Sequence, residues 1–337
     1  MNKKRVILFL KNSGIVIIVP LVVYFFMEVV CILLADTHVV SSWLEINNLI
    51  KTTCVMTFSA IALSLNMSAG RMDFSLGAQQ MVACVVGGNI AFSLGLGPIG
   101  VLAFCILFGV AAGSIVGVLF VVTKIPSMVL GIGMALIYEC ISFAWSFNGF
   151  QLYGKSDMAV LGSTQFELAA LAAVVVIFYF VFSYIKFGYH YRSIQGSQVV
   201  AKSMGINVYV NCIICYAIAG GLIAASGVFD TSYTGVLAST MGLASTTTTF
   251  TAMLAVFVAN YLSRFTNRAV ALAIGALTVR ILSYGLIILQ LPSPAVMAIN
   301  YVCLLLFLVF QGYMERKKIK DARNARRAEA YRAGKVA

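Results

Sequence analysis

Residues 186–209 read KFGYHYRSIQGSQVVAKSMGINVY, the one long polar interruption between two strongly apolar blocks of the chain. Ser197 is placed to cap a short helix, Val200 and Met204 lie four apart on one face of it, and Gly205 supplies the left-handed residue that ends it. The spacing predicts one exposed helix of about a turn and a half. Such a helix either rests on lipid headgroups as an interhelical connection or presents a contact surface to a second molecule.

The flanking blocks settle the class of protein. Of 337 residues, 61% are hydrophobic and only 10% charged, whereas a soluble domain carries about 25% charged residues. The first apolar run, 14–35, follows Lys3, Lys4, Arg5 and Lys11. It has about the 20 residues that a 30 Å hydrocarbon core demands, more than the roughly 7–15 of a signal-peptide core, so it reads as an uncleaved span. Further spans are expected at 49–67, 74–96, 99–122, 127–147, 168–185, 210–229, 247–262, 269–289 and 295–313. The fold class is therefore an all-α polytopic membrane protein with about ten transmembrane helices. The stretch 237–251 fits either the start of the eighth span or a partly re-entrant segment.

Ten spans require Lys and Arg to collect in alternate connections. One side carries Arg71, then Lys124, then Lys186, Arg192 and Lys202, then Arg264 and Arg268, then the tail from Arg316 to Lys335. The other holds only Lys51 and Lys155, beside Asp36, Glu45, Asp157, Glu167 and Asp230. This asymmetry predicts a multi-pass protein with both termini cytoplasmic. The net charge of +12 lies largely in the tails, where an anionic leaflet explains it without any nucleic acid. The expected organisation is a membrane domain over 1–313 and a basic cytoplasmic tail over 314–337, with a helix over 316–332 extending the last span.

Enzymatic chemistry has no constellation to work with. His38 and His190 fall in connections on opposite sides, no GxxxxGK[ST] stretch occurs, and Cys212 and Cys215 form a CxxC without a second Cys/His pair. Neither a metal site nor ATP hydrolysis by this chain is expected. Gly109, Gly113 and Gly117 make a GxxxGxxxG ridge that admits a neighbouring backbone, with Gly220, Gly221 and Gly227 in the same role on the seventh span.

Residues 68–77, SAGRMDFSLG, form a second informative stretch in which Gly70, Asp73 and Ser75 can break or cap a helix and Asp73 can pair with Arg71. Three patches resemble, in order, the permeases of ribose/galactose-type ABC importers. Ala69, Gly70, Met72, Asp73, Phe74, Ser75, Leu76 and Gly77 are similar to that family's TGGIDLSVG, with Arg71 in place of the second glycine. Lys124, Ile125, Pro126 and Ser127, followed by Gly131 and Met134, resemble IPPFIATLGM. Phe187, Gly188, Arg192, Gly196, Ala201, Met204, Gly205 and Ile206 resemble the segment that docks into the ATPase subunit. Residues 242–267, GLASTTTTFTAMLAVFVANYLSRFTN, depart from the family pattern, with threonines for acidic residues and Ala259-Asn260 for paired glycines, and so mark a divergent member.

The resemblance implies a type II-like importer permease in a bacterial inner membrane. Its implied partners are an ABC ATPase subunit that carries ATP and Mg, an extracytoplasmic solute-binding protein, a second permease copy or homologue, membrane lipid, and a sugar or sugar-like solute. It assigns ATPase coupling to 186–209 through Gly188, Arg192, Gly196, Ala201, Lys202, Met204, Gly205 and Ile206. For the translocation pathway the candidates are Asn66, Asp73, Ser75, Gln79, Gln80, Glu139, Asn260 and Arg280, because polar groups within spans are costly. Glu139 and Arg280 fit equally a structural pair between helices. The rival reading is an ion-gradient-driven carrier, with Glu28, Asp73 and Glu139 as ion sites.

Overall fold

The computed structural model describes residues 3–154 and 156–336. Its helices are α1 (Lys3–Ala35), α2 (Trp43–Met67), α3 (Leu76–Val82), a π-helical turn (Ala83–Gly88), α4 (Asn89–Ser93), α5 (Pro98–Thr123), α6 (Ser127–Trp145), α7 (Thr164–Tyr184), α8 (Lys186–Gly196), α9 (Gln198–Ser203), α10 (Val208–Thr234), α11 (Thr246–Leu262), α12 (Arg268–Ile288) and α13 (Ser293–Val336). Strands β1 (Phe150–Gln151) and β2 (Val236–Leu237) pair antiparallel, with Phe150 opposite Leu237. Among the described residues eight helices are long and apolar enough to cross a membrane. The shorter α11 and the third span, assembled from α3, the π turn and α4, bring the total to the expected ten. Lys155 lies outside the described residues, as do the side chains of Lys3, Lys4, Arg5 and Lys11.

Several helices start where a side-chain oxygen meets an orphan amide. Ser42 and Glu45 close a reciprocal capping box at α2, Ser163 caps α7, Asn207 caps α10 and Asn267 caps α12. In hydrocarbon an unmet amide costs several kcal/mol, so these caps fix where those four helices begin. Helix α2 is the axis of the bundle, buried at every residue from Thr53 to Asn66. Beside it α10 lies against α5 at backbone contact: a Cβ on Gly113 would sit 2.2 Å from the Tyr216 carbonyl oxygen, and one on Gly220 2.1 Å from that of Gly109. The glycine ridge is thus an intramolecular seam. Gly227 faces α3 instead, where a Cβ would meet Gln80 Cγ at 2.6 Å.

Residues 186–209 differ from the expected single helix. They form two, α8 and α9, because Gly188, Tyr191 and Ile194 make an inward stripe at helical spacing that buries α8. Gly188 does not break the helix; a Cβ there would meet the Val181 carbonyl oxygen at 2.2 Å, so the glycine lets α8 fold back on α7. Helix α13 runs without interruption through residues 313 and 314, extending the last span as expected.

The segment after β2 is re-entrant up to residue 245. Ser239 Oγ donates to the Ser146 carbonyl oxygen at 2.7 Å, while the amides of Leu243 and Ser245 reach Glu139. From Ser146 back to Glu139 is seven residues of α6, about 10 Å at 1.5 Å per residue. The chain therefore descends into the bundle as irregular backbone before α11 begins. Such backbone survives at membrane depth only inside protein or along a cavity.

Candidate functional site

Where α11 starts, a cavity of about 180 Å³ opens between α2, α3, α10, α11 and α12. Its polar lining is Ser59, Gln80, Asp230, Thr248, Thr251 and Arg280, with Thr247 beside them. The Asp230 carboxylate and Arg280 guanidinium attract each other across this space, yet no ion pair joins them, and Arg280 Nε has no hydrogen-bond partner. Each such charge costs about 2.5–3.5 kcal/mol at the centre of a span. Two opposite charges facing one polar void reduce that cost and leave donors and acceptors free for a small polar molecule. Ser59 Oγ is held 2.7 Å from Ser226 Oγ, which ties α2 to α10 at the cavity rim.

Two residues from the sequence-predicted pathway, Gln80 and Arg280, line this cavity. Asp230, placed by the sequence in an outer connection, is inside α10 instead. Its neighbours Thr231, Ser232 and Thr234 mimic a loop, but their hydroxyls bond back to carbonyls of their own helix. The threonines of α11 carried a signal, since a TTTT run inside a span must find acceptors.

The other candidates go elsewhere. Glu139, buried at 1% exposure, accepts from Leu243 N at 2.8 Å and Ser245 N at 3.0 Å. It anchors the re-entrant segment and does not pair with Arg280, which corrects the paired reading. Asp73 accepts from Ser75 N at 2.9 Å, Ser75 Oγ at 2.6 Å and Gln79 Nε2 at 3.1 Å. The expected Asp73–Arg71 pairing is replaced by this closed turn at the start of α3. Directly above it, a Cβ on Gly77 would lie 1.8 Å from the Ser245 carbonyl oxygen, so the two helix starts meet at backbone contact. Asn66 is fully buried with both side-chain polar atoms unpartnered. Asn260 sits at the far end of α11, where Arg268 Nη2 reaches its Oδ1 at 3.4 Å.

On that same end of the molecule α8 and α9 form a platform. The Ser197 hydroxyl caps α9 by accepting from Val200 N, and Gly205 ends it at φ +81° with open space where a Cβ would be. Val199, Val200 and Met204 are exposed by 80%, 55% and 69%, an apolar patch that extends outward beside Lys202. Arg192 is also outward, its guanidinium 4.8 Å from the Tyr189 ring centroid, and Gly196 is open. Ala201 is the exception, fully buried against Ala69, Ile194, Ile206 and Val208. The expectation that it lines a docking face is therefore reversed: α9 turns Ala201 inward as the pin that holds it to the bundle.

Residues 46–310 match the family described as the branched-chain amino acid transport system permease component. The galactose/methyl galactoside import permease protein MglC of Escherichia coli (strain K12) is 22% identical, over 72% of this chain and 77% of that protein. A tyrosine transport system permease protein of Clostridioides difficile (strain R20291) is 26% identical, over 56% of this chain and 65% of its own. A solved metal-chelate type ABC transporter in an inward-facing conformation aligns with 92% of this chain and 98% of its own at 12% identity and a TM-score of 0.49.

Proposed function

The chain belongs to the family described as the permease component of branched-chain amino acid transport systems, and from that premise we propose that it carries a sugar or sugar-like solute inward through a bacterial inner membrane. In this reading a separate ATPase supplies the energy, an extracytoplasmic binding protein delivers the solute, and a second permease copy or homologue completes the pathway. The observation that carries it is the α8–α9 platform, a capped, glycine-terminated helix pair whose outer face has no partner within the described chain. Closing and opening of the ATPases would move this platform, and with it the base of α10. The cavity at Asp230 and Arg280, with its hydroxyls and one amide, supplies hydrogen bonds to a polyol without requiring charge on the solute.

The ion-driven alternative loses ground on the same contacts. Glu28 accepts from Val39 N at 2.9 Å and bonds His38 Nδ1 at 2.6 Å, while each carboxylate oxygen of Glu139 and Asp73 already accepts a hydrogen bond from the chain itself. Asp230 faces a guanidinium, which disfavours a bound cation. The purified chain in liposomes should therefore move solute only with the ATPase and ATP present. Uptake by the chain alone down an imposed proton or sodium gradient would replace this reading with the carrier.

The Lys/Arg asymmetry gives a second expected result. Asp157 and Gln195 are both exposed, and cysteines placed there, with Cys140 replaced, should label from opposite sides of the membrane. Labelling of both from outside would break the assignment of α8 and α9 to the cytoplasm.

A further inference from the structure

A second recess, basic at Arg71 and Lys124 on otherwise mostly apolar walls, lies on the platform side of the molecule, between the α5–α6 turn, the start of α10 and α9. It has a volume of about 580 Å³ and is lined by Arg71, Lys124, Ser127, Met128, Gln198 and Tyr209 among others, with no acidic side chain. Arg71 is only 4% exposed, and its Nε and Nη2 have no hydrogen-bond partner. A guanidinium buried that deeply with free donors is costly unless an anion meets it. Lys124 adds a second cation from the left-handed C-cap of α5, at φ 56°. The first turn of α6, a helix of 19 residues, opens on the same recess through Ser127 and Met128, and no side chain caps its amides because Pro126 stands at the N-cap. A guanidinium with unpartnered nitrogens, an ammonium group and an uncapped helix start thus line one volume, a combination suited to a tetrahedral oxyanion.

We infer that this recess binds a phosphate group, held by the Arg71 guanidinium, Lys124 Nζ and the first amides of α6. The site is separate from the cavity at Asp230 and Arg280, and its occupancy joins α6 to the base of the platform through Gln198 of α9. Phosphate reaches such a recess either on an anionic lipid headgroup or on a soluble phosphoester, and the chemistry is shared.

The test uses the full chain, purified in detergent and in nanodiscs. Native mass spectrometry after exposure to phosphatidylglycerol, with phosphatidylcholine as the neutral control, reads the lipid source; thermal stabilisation by inorganic phosphate or glycerol phosphate reads the soluble one. The wild-type chain should retain one or the other about tenfold more tightly than Arg71→Gln, with Arg71→Lys intermediate. Lys124→Gly, which suits the left-handed backbone and leaves the fold intact, should weaken binding in the same arm and serves alone if Arg71→Gln does not fold. Retention of phosphatidylglycerol assigns the site to lipid, and stabilisation by the soluble anions assigns it to a phosphoester. Equal behaviour of wild type, Arg71→Gln and Lys124→Gly in both arms overturns the inference.

Discussion

Arg280→Leu is expected to abolish uptake and to cost about 3–5 kcal/mol of stability, because it leaves the Asp230 carboxylate in the bundle with no opposing charge. Asp230→Asn should behave alike for the mirror reason, stranding a guanidinium whose Nε already lacks a partner. The two losses should not add. In the double variant Asp230→Asn with Arg280→Leu neither charge remains, so the thermal transition should return most of the way to wild type while uptake stays absent. That split separates a solute site from a structural pair: a pair that only holds α10 to α12 would regain transport along with stability. Thermal unfolding of the purified variants, read beside ATP-driven uptake in liposomes, makes the distinction. Wild-type uptake by the folded double variant would remove the cavity from the pathway.

The same two residues show where sequence reading stops. Arg280 stood out because a lone cation in an apolar run has few explanations. Asp230 does not, because Thr231, Ser232 and Thr234 surround it with the composition of a loop, and only the helix reveals that those hydroxyls donate to carbonyls one turn back in α10. Span number and order were legible from apolar run length alone, since bilayer thickness fixes it. The break in the third span was not: the π turn over Ala83–Gly88 differs from an α-helix by a register of hydrogen bonds, and the packing of Gly88 against the Phe150 ring, where a Cβ would come within 2.3 Å, is a contact between distant parts of the chain. Glu139 stands out in the sequence as well, but that it meets the re-entrant backbone and not Arg280 is hidden for the same reason, as its partners are amides more than a hundred residues away. Capping reads well from sequence because it is local. Ser197 and Gly205 take the places their chemistry demands, while α8 is marked in the sequence only by the stripe of Gly188, Tyr191 and Ile194, which needs a bundle to bury it.

Gly205→Val and Ala201→Trp are expected to stop uptake by different routes, and the difference follows from which way each position points. Gly205 has φ +81° and open space where a Cβ would point. A β-branched residue there carries about 1–2 kcal/mol of backbone strain and projects into solvent beside Val199 and Met204. The chain should insert and fold with a slightly lowered transition, and the added bulk should keep the ATPase from seating on α9. Ala201 is fully buried against Ala69 and Ile194, so an indole at that position must lift α9 off the bundle. Overpacking of this kind costs about 1–3 kcal/mol or more. Ala201→Trp should therefore lose the platform itself, with faster proteolysis between α8 and α10, and lose the ATPase as a consequence. Co-purification with the ATPase, measured alongside limited proteolysis, resolves the two. Protease resistance without ATPase marks a blocked docking surface in Gly205→Val, and loss of both marks a detached α9 in Ala201→Trp. If Gly205→Val keeps the ATPase and its hydrolysis still responds to solute, force does not pass through α8 and α9, and the assignment of these helices to coupling fails.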